Sequence, residues 1–97
     1  MEKVLITGIS GGQGRLITRR LRETDAVCGV DRSSWDGAPR GVSVHTVDIR
    51  KKKFEDVIRT EMPAAIVHMG FVRHFRGDQR TRHDVNVRGT KHLLDHC

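Results

Sequence analysis

Short apolar runs alternate along the chain with longer segments in which apolar and charged residues are mixed. The first run, residues 4–6, passes directly into Thr7 and Gly8, as is typical of a buried parallel strand that ends in a turn. Three later runs have the same apolar character and a similar length. The predicted strands are residues 4–6, 26–30, 42–47 and 64–69.

The segments after the first and third strands have helical periodicity. Ile17 and Leu21 lie four residues apart among arginines, which predicts a helix over residues 14–23 with one apolar stripe. A second helix is predicted over residues 51–61 and is closed by Pro63. Its apolar face consists of Phe54, Val57 and Ile58.

After the fourth strand the sequence becomes polar and basic. We expect a loop over residues 73–82 and a last helix that starts at Thr81 or His83. The apolar positions of that helix are Val85, Leu93 and Leu94. Strands that alternate with helices are typical of βαβ units with right-handed crossovers. The sequence therefore predicts an α/β fold that forms the N-terminal half of a doubly wound parallel sheet.

The connection between the first strand and the first helix carries a cluster of glycines, which are Gly8, Gly11, Gly12 and Gly14. In such a turn the first glycine permits a tight bend, the middle one lets backbone N–H groups approach a pyrophosphate, and the last lets the helix pack against the strand. A purely structural connection is the alternative. A nucleoside-triphosphate loop fits poorly, because Gly14 is followed by Arg15 and Leu16 rather than by lysine and a hydroxyl residue.

Asp31 follows the second predicted strand, where a carboxylate can accept hydrogen bonds from both ribose hydroxyls of an adenosine. This position favours NAD as the cofactor. Arg32 could pair with the 2′-phosphate of NADP, but the neighbouring carboxylate repels that phosphate, so NADP is the second choice. The structural alternative is that Asp31 only caps the turn into the Ser-rich loop, residues 33–39.

A second aspartate, Asp48, closes the third predicted strand just before Ile49. Its carboxylate could accept a hydrogen bond from the amino group of an adenine. It could equally cap the helix that starts at Lys51, since aspartate is common near helix starts. The sequence leaves both alternatives open.

Taken in order, these segments resemble the N-terminal part of the extended short-chain dehydrogenase/reductase family, the NAD-dependent nucleotide-sugar epimerases and dehydratases. The matching segments are the Thr-Gly-x-x-Gly-x-x-Gly turn of residues 7–14, the cofactor positions Asp31, Asp48 and Ile49, the fourth-strand segment 66–70, and the Asn-Val-x-Gly-Thr-x-x-Leu-Leu helix that starts at Asn86. The resemblance covers essentially the whole chain and implies a Rossmann NAD(P)-binding domain.

Roles for further residues come from this resemblance. Gly12 and Gln13 would offer backbone amides to the pyrophosphate. The segment Met69, Gly70 and Phe71 would pass close to the nicotinamide, and Asn86 would fix the cofactor-binding backbone in the middle of the sheet. The pair Gly70-Phe71 departs from the family's two small alanines and brings a bulky ring near the cofactor groove.

For the parent protein, the resemblance implies hydride transfer between NAD and a nucleotide sugar or similar carbinol. In the family a tyrosine of a Tyr-x-x-x-Lys motif transfers the proton, and this chain has no tyrosine. We therefore interpret residues 1–97 as a partial dinucleotide-binding domain, truncated before the catalytic region and without catalytic residues of its own. A non-catalytic NAD(P)-binding redox sensor is the alternative.

Composition narrows the range of partners. Lys and Arg exceed Asp and Glu by 18 to 12, but the charges interleave and aromatics are only 4%, so solvated faces explain the excess better than a nucleic-acid groove. The apolar runs are too short for a membrane helix or a signal peptide, so we expect a cytoplasmic protein. A small-molecule substrate, and a homodimer as one option, are expectations for the full-length protein.

Histidines and cysteines raise the question of a metal site. His92 and His96 lie four residues apart on one predicted helix face, next to Cys97. Two ligands do not make a zinc site without further ligands and second-shell support, so we predict surface histidines and no metal. His68, on the fourth strand, is expected to be a packed, hydrogen-bonded residue rather than a catalytic base. Two cysteines are too few for a disulfide framework.

Overall fold

The computed structural model describes residues 2–70 and 79–96. Its strands are β1 (Lys3–Thr7), β2 (Ala26–Asp31), β3 (Ser43–Thr46) and β4 (Ala65–His68), each within one residue of its predicted bounds. They form one parallel sheet in the order β3-β2-β1-β4. The chain runs outward from β1 to β3 and then returns to place β4 on the other side of β1. This order confirms the predicted half of a doubly wound sheet.

The first helix, α1 (Gly12–Leu21), begins two residues earlier than predicted. Gly11 is its N-cap, with the extended dihedral angles φ −77° and ψ 170°. The earlier start places the last two glycines of the turn inside the first helical turn. Because first-turn N–H groups have no acceptor within a helix, this shift adds amide donors at the sheet edge.

The second helix, α2 (Lys52–Glu61), ends where the sequence predicted, before Pro63. Met62 takes the left-handed conformation with φ 48°, and its N–H donates to the Ile58 carbonyl at 2.9 Å. A residue before proline is disfavoured in the right-handed helical region, so the chain leaves the helix at this position.

The last helical region starts at Gln79 rather than at the predicted Thr81 or His83. It consists of α3 (Gln79–His83), a π-helical turn (Asp84–Gly89) and α4 (Thr90–Asp95). The rest of the predicted loop, residues 73–78, lies outside the described part of the chain. In the wide turn, Gly89 passes close to Ile49, where a Cβ at Gly89 would lie 2.8 Å from Ile49 Cδ1. The apolar spacing predicted a helix here but did not distinguish a π turn.

Apolar side chains cover both faces of the sheet. On one face, α2 and the last helical region contribute Phe54, Val57 and Leu93, which pack on Leu5, Val30 and Ile49. On the other face, Ile9 and Trp35 pack on Val4, Ile6 and Val27, with the predicted α1 stripe of Ile17 and Leu21 against them. The result is a three-layered arrangement. Leu94, predicted as an apolar position of the last helix, is not part of this core and is 65% exposed.

Trp35 belongs to this core although it lies in a segment predicted to be a loop. Its side chain is only 6% exposed. The guanidinium groups of Arg15 and Arg19, both on α1, lie 5.3 and 5.8 Å from the centroid of its ring. Part of the basic charge of the chain is therefore used to cover an aromatic ring.

Cys28 is buried in the first of these clusters. Burial raises the pKa of its thiol to about 12, so the side chain stays protonated at neutral pH. It packs there as a small apolar residue.

Candidate functional site

A cavity of about 900 Å³ lies at the carboxyl edge of the sheet, next to β1, β2 and β4. In a doubly wound sheet, ligands bind outside the carboxyl ends of the strands, at the point where the strand order reverses. The predicted site residues that line the cavity are Gly8, Gly11, Gly12, Gln13, Gly14, Asp31, Arg32, Ile49, Met69 and Gly70. Asp48 and Asn86 are not part of the lining, and Phe71 lies outside the described residues.

Two glycines of the turn after β1 are required by close backbone contacts. Gly8 has a left-handed φ of 73°, and a Cβ there would lie 2.6 Å from the carbonyl oxygen of Met69. A Cβ at Gly14 would lie 2.2 Å from the Gly8 carbonyl oxygen and 2.8 Å from Ile9 Cα. These two residues let the turn, the helix and the end of β4 approach one another. The bend at Gly8 and the close packing at Gly14 are the roles predicted for the first and last glycines.

The other two glycines face space that the described residues do not fill. Among residues 2–70 and 79–96, a Cβ at Gly11 would only touch the Gly8 carbonyl oxygen, at 3.4 Å, and a Cβ at Gly12 would meet nothing within 4 Å. Both residues line the cavity together with Gln13. The first turn of α1 has no acidic residue and no side-chain cap, so its N–H groups remain suited to an anionic ligand.

Asp31 joins the glycine turn to the loop after β2. Its Oδ2 accepts a hydrogen bond from the Ser10 N–H at 3.0 Å, and its Oδ1 accepts one from the Ser33 N–H at 2.9 Å. The carboxylate therefore caps this turn, as the structural alternative expected, and also lines the cavity. A carboxylate has about four acceptor positions, so these two bonds leave capacity for a ligand.

His68 fixes the end of β4 against β1. Its Nδ1 lies 2.5 Å from Thr7 Oγ1 and its Nε2 lies 2.8 Å from Thr90 Oγ1. Because Thr90 Oγ1 donates to the Asn86 carbonyl, it accepts from Nε2–H, and Thr7 donates its hydroxyl proton to Nδ1. The Asn86 carbonyl is thus linked to the end of β4 through Thr90 and His68.

This network also positions the segment after β4. Thr7 Oγ1 accepts hydrogen bonds from the N–H groups of Met69 and Gly70, at 2.9 and 3.0 Å. Burial lowers the pKa of His68, which favours the neutral ring that these bonds require. The predicted hydrogen-bonded role of His68 is confirmed.

Asp48 is engaged by an arginine two residues further along. Arg50 donates to its carboxylate from Nη2 at 2.6 Å, from Nε at 3.0 Å and from the backbone N–H at 2.9 Å. Arg50 Nη1 also donates to Asp84, at the start of the π-helical turn. We call Asp48, Arg50 and Asp84 the arginine bridge. The hydrogen bonds from Arg50 hold the pKa of both carboxyl groups below their usual range.

The arginine bridge bears on both predictions made for Asp48. Lys51 is the N-cap of α2 and has no side-chain cap, so Asp48 does not cap the first helical turn itself. An adenine amino group would have to share the Asp48 carboxylate with Arg50. The adenine contact therefore stays a prediction, whereas the neighbouring Ile49 is buried and lines the cavity.

The structure adds site residues that the sequence did not single out. Ser10 donates its hydroxyl to the Ser33 carbonyl at 2.9 Å and accepts a hydrogen bond on its own carbonyl from Arg15 Nε at 2.7 Å. Thr81 and Val85 reach the cavity from the last helical region. Ser10 could have been found from its place inside the glycine turn. No local pattern marks Thr81 and Val85, because their place depends on how the helix packs.

Comparison with known proteins agrees with this geometry. A model of the NAD-dependent epimerase/dehydratase family matches residues 4–97. A search of curated proteins finds no match. Among solved structures, the chain is similar to the UDP-glucose 4-epimerase of Thermus thermophilus in complex with NAD, with 27% identity and a TM-score of 0.89 over 98% of this chain and 33% of that one.

Two further structures extend this similarity. A short-chain dehydrogenase/reductase superfamily protein from Agrobacterium tumefaciens with bound NAD has 27% identity and a TM-score of 0.80, over 96% of this chain and 28% of that one. The uronate dehydrogenase of the same organism has 21% identity and a TM-score of 0.76, over 98% and 35%, and shows the fold alone. The chain thus spans about a third of the length of these proteins.

Within residues 2–70 and 79–96, every helix is too short or too polar to cross a membrane.

Proposed function

We propose that this chain, which belongs to the NAD-dependent epimerase/dehydratase family, forms the part of such an enzyme that binds NAD. The observation that carries the proposal is the cavity at the sheet edge, where the first-turn amides of α1 and the Asp31 carboxylate face the same space. Helix N-terminal amides suit a pyrophosphate, and a carboxylate after β2 suits ribose hydroxyls.

The proposed contacts follow the lining of the cavity. The N–H groups of Gly12 and Gln13 would hold the pyrophosphate, with Gly11 leaving room for its approach. Asp31 would accept hydrogen bonds from the adenosine ribose. Its negative charge favours NAD over NADP, although Arg32 stands beside it. Adenine would lie toward Ile49, which is on the same wall.

The nicotinamide end would lie near Met69 and Gly70, whose amides are fixed by Thr7. When bound, NAD takes a hydride from a substrate carbinol and can return it. For the whole protein we propose a nucleotide sugar or similar carbinol as the substrate. The support is the fold shared with the UDP-glucose 4-epimerase at 27% identity. The cytoplasmic location and a homodimer of the full-length protein stay predictions.

The experiment that tests cofactor binding is a calorimetric titration of the chain with NAD, repeated for a Gly11→Ala variant. The folded protein accommodates a methyl group at this position, but a dinucleotide pyrophosphate would meet it. We expect one site in the unchanged chain and an affinity at least about tenfold lower in the variant, a change of about 1.4 kcal/mol.

The matched control is Gly37→Ala, in the loop after β2. A Cβ at Gly37 would have one contact, with Trp35 Nε1 at 3.9 Å, and the residue does not line the cavity. Its affinity for NAD should equal that of the unchanged chain, with folding of all three proteins checked by circular dichroism. A folded chain that does not bind NAD, or equal binding by the Gly11→Ala variant, would contradict the proposal.

The absence of tyrosine from the 97 residues favours a second candidate for the chain itself, a NAD(P)-binding module without turnover. Addition of UDP-glucose to the chain with bound NAD distinguishes the two. No formation of NADH, followed by its absorbance, would support the module. Formation of NADH would assign hydride transfer to these residues.

A further inference from the structure

Two histidines of the last helix face one glutamate of α2. Glu55 Oε2 lies 3.0 Å from His92 Nε2, and Glu55 Oε1 lies 3.3 Å from His96 Nε2. The three donor atoms lie within 4.8 Å of one another. The side chains are 23%, 19% and 35% exposed for Glu55, His92 and His96, so the cluster is partly buried and still reachable from solvent. The sequence predicted surface histidines; the structure places both partly buried and paired with Glu55.

Both imidazole rings are oriented by backbone carbonyl groups. His92 Nδ1 donates to the Ile49 carbonyl at 2.5 Å, and His96 Nδ1 donates to the His92 carbonyl at 2.8 Å. This arrangement occupies the Nδ1–H of each ring and points Nε2 toward Glu55, so Nε2 is the atom of each ring that could ligate a metal ion. Histidines that bind metal ions usually donate their other ring N–H to a carbonyl or carboxylate in this way.

We propose that Glu55, His92 and His96 form a binding site for Zn²⁺. Two imidazole nitrogens and one carboxylate are a common zinc ligand set, with water in the fourth position. A tetrahedral ion with bonds of about 2.0 to 2.1 Å separates its ligand atoms by about 3.3 Å. The N···O distances of 3.0 and 3.3 Å, which run to different oxygens of Glu55, are near that separation. The three ligand atoms lie within 4.8 Å of one another, so the side chains would draw together on binding the ion.

The position of the site gives the ion a structural effect. Glu55 belongs to α2, whereas His92 belongs to α4 and His96 is the C-cap residue of that helix. The centroid of the Phe54 ring lies 6.1 Å from that of the His92 ring across the same contact. A zinc ion would replace the ion pairs between Glu55 and the two histidines with coordination bonds that join α2 to the end of the last helix. Because the ion binds only the folded arrangement, it should stabilise the fold by mass action.

A second histidine–glutamate pair in the chain shows how an ion pair without a metal site is built. His45 Nε2 lies 2.7 Å from Glu61 Oε2, but Lys3 Nζ occupies the other oxygen at 3.2 Å. A lysine ammonium cannot ligate a metal, and it neutralises the carboxylate. Glu55 instead has an imidazole nitrogen on each oxygen. This difference distinguishes the proposed site from an ordinary ion pair.

The test is a calorimetric titration with ZnCl₂, together with the visible absorption of bound Co²⁺, on the full chain carrying Cys97→Ser. That substitution removes a thiol adjacent to His96 in the sequence. We expect one equivalent of Zn²⁺, a Co²⁺ spectrum of tetrahedral type, and a rise in the thermal midpoint of about 10 °C at a hundredfold excess over Kd.

Variants assign the ligands. Glu55→Gln and His96→Gln should each lower the affinity for Zn²⁺ by more than about tenfold, since loss of a group that only hydrogen-bonds a metal ligand already costs that much. His45→Gln is the matched control and should leave the affinity unchanged. His96→Gln removes no bond to Ile49, so its fold should be retained, and circular dichroism without metal checks this.

Absence of saturable Zn²⁺ binding by the folded Cys97→Ser chain would overturn the proposal and leave an ion pair. Equal loss of affinity in His45→Gln would also overturn it, because binding would then not depend on this cluster. Both measurements are made without NAD, so they are independent of the proposed cofactor site.

Discussion

Two aspartates lie at the carboxyl ends of neighbouring strands, yet the fold uses them differently. Asp31, the last residue of β2, is held by two neutral backbone amides, those of Ser10 and Ser33. Asp48, after β3, is held by the guanidinium of Arg50, which also binds Asp84. The first carboxylate lines the cavity, whereas the second is the centre of an ion-pair network.

The difference shows that position at a strand end does not by itself make a carboxylate available to a ligand. A neutral N–H partner leaves the negative charge to act on its surroundings, whereas a bidentate guanidinium neutralises it and occupies both oxygens. Among the described residues, the glycine turn, residues 7–14 with Asp31, therefore has N–H groups and carboxylate lone pairs that can still bind a ligand. In the arginine bridge, the guanidinium of Arg50 pairs with both carboxylates. The bridge thereby joins the β3–α2 connection to the last helical region.

The largest expected effect is a loss of stability when the close backbone packing of the glycine turn is disturbed. Gly14→Ala would place a methyl group 2.2 Å from a backbone oxygen, and neither atom can move without opening the turn. We expect a loss of about 3 kcal/mol in the free energy of unfolding, measured by urea denaturation. Gly12→Ala, two residues earlier on the same helix, meets no atom within 4 Å in the described part of the chain and should not destabilise it. Similar stabilities for the two variants would show that the turn does not depend on close backbone packing.

A smaller effect compares the two aspartates directly. Asp31→Asn and Asp48→Asn each remove one charge and one acceptor for an intramolecular bond. We expect Asp31→Asn to lower the affinity for NAD by about tenfold and to reduce the ratio of NAD affinity to NADP affinity. Asp48→Asn should change the affinity for NAD by less than about twofold. Equal losses in calorimetric titrations would instead favour the adenine contact predicted for Asp48 from the sequence.

The smallest effect is a pair of opposite pKa shifts, one in each region. Burial lowers the pKa of His68, beside the glycine turn, below the ordinary value of 6.5. The hydrogen bond to the Ile49 carbonyl, helped by Glu55, raises the pKa of His92, near the arginine bridge. An NMR titration of the imidazole resonances, in the presence of a metal chelator, should find the two on opposite sides of the ordinary value. Two pKa values on the same side of 6.5 would contradict the predicted shifts.

These shifts have opposite consequences for stability. As the pH falls through 6.5, the unfolded chain takes up a proton at His68 that the folded chain does not, so this residue lowers the free energy of unfolding in acid. The contribution of His92 is fully present below 6.5 and is lost as the pH rises through its higher folded-state pKa. Urea denaturation of His92→Gln against the unchanged chain between pH 5 and 8 isolates the second contribution.

Much of the fold could be predicted from local signals. The four strands lie within one residue of the predicted ones, because β-branched runs bounded by turn residues mark buried parallel strands clearly. The starts of two helices differ from the predicted ones. Helix α1 starts at Gly12, because glycine is compatible with both the turn and the helix. The last helical region starts at Gln79, in a polar stretch without apolar periodicity.

The sequence by itself determined the strand–helix alternation, the glycine turn and the class of ligand that such a turn suits, since each depends on neighbouring residues. Only the tertiary structure decided that Trp35 is buried, that Arg50 reaches Asp84, and that Glu55 lies between two histidines. Arg50 and Asp84 are 34 positions apart, and Glu55 and His92 are 37 apart. Contacts over such separations arise when helices pack on one face of the sheet, and local periodicity does not specify which side chains then meet.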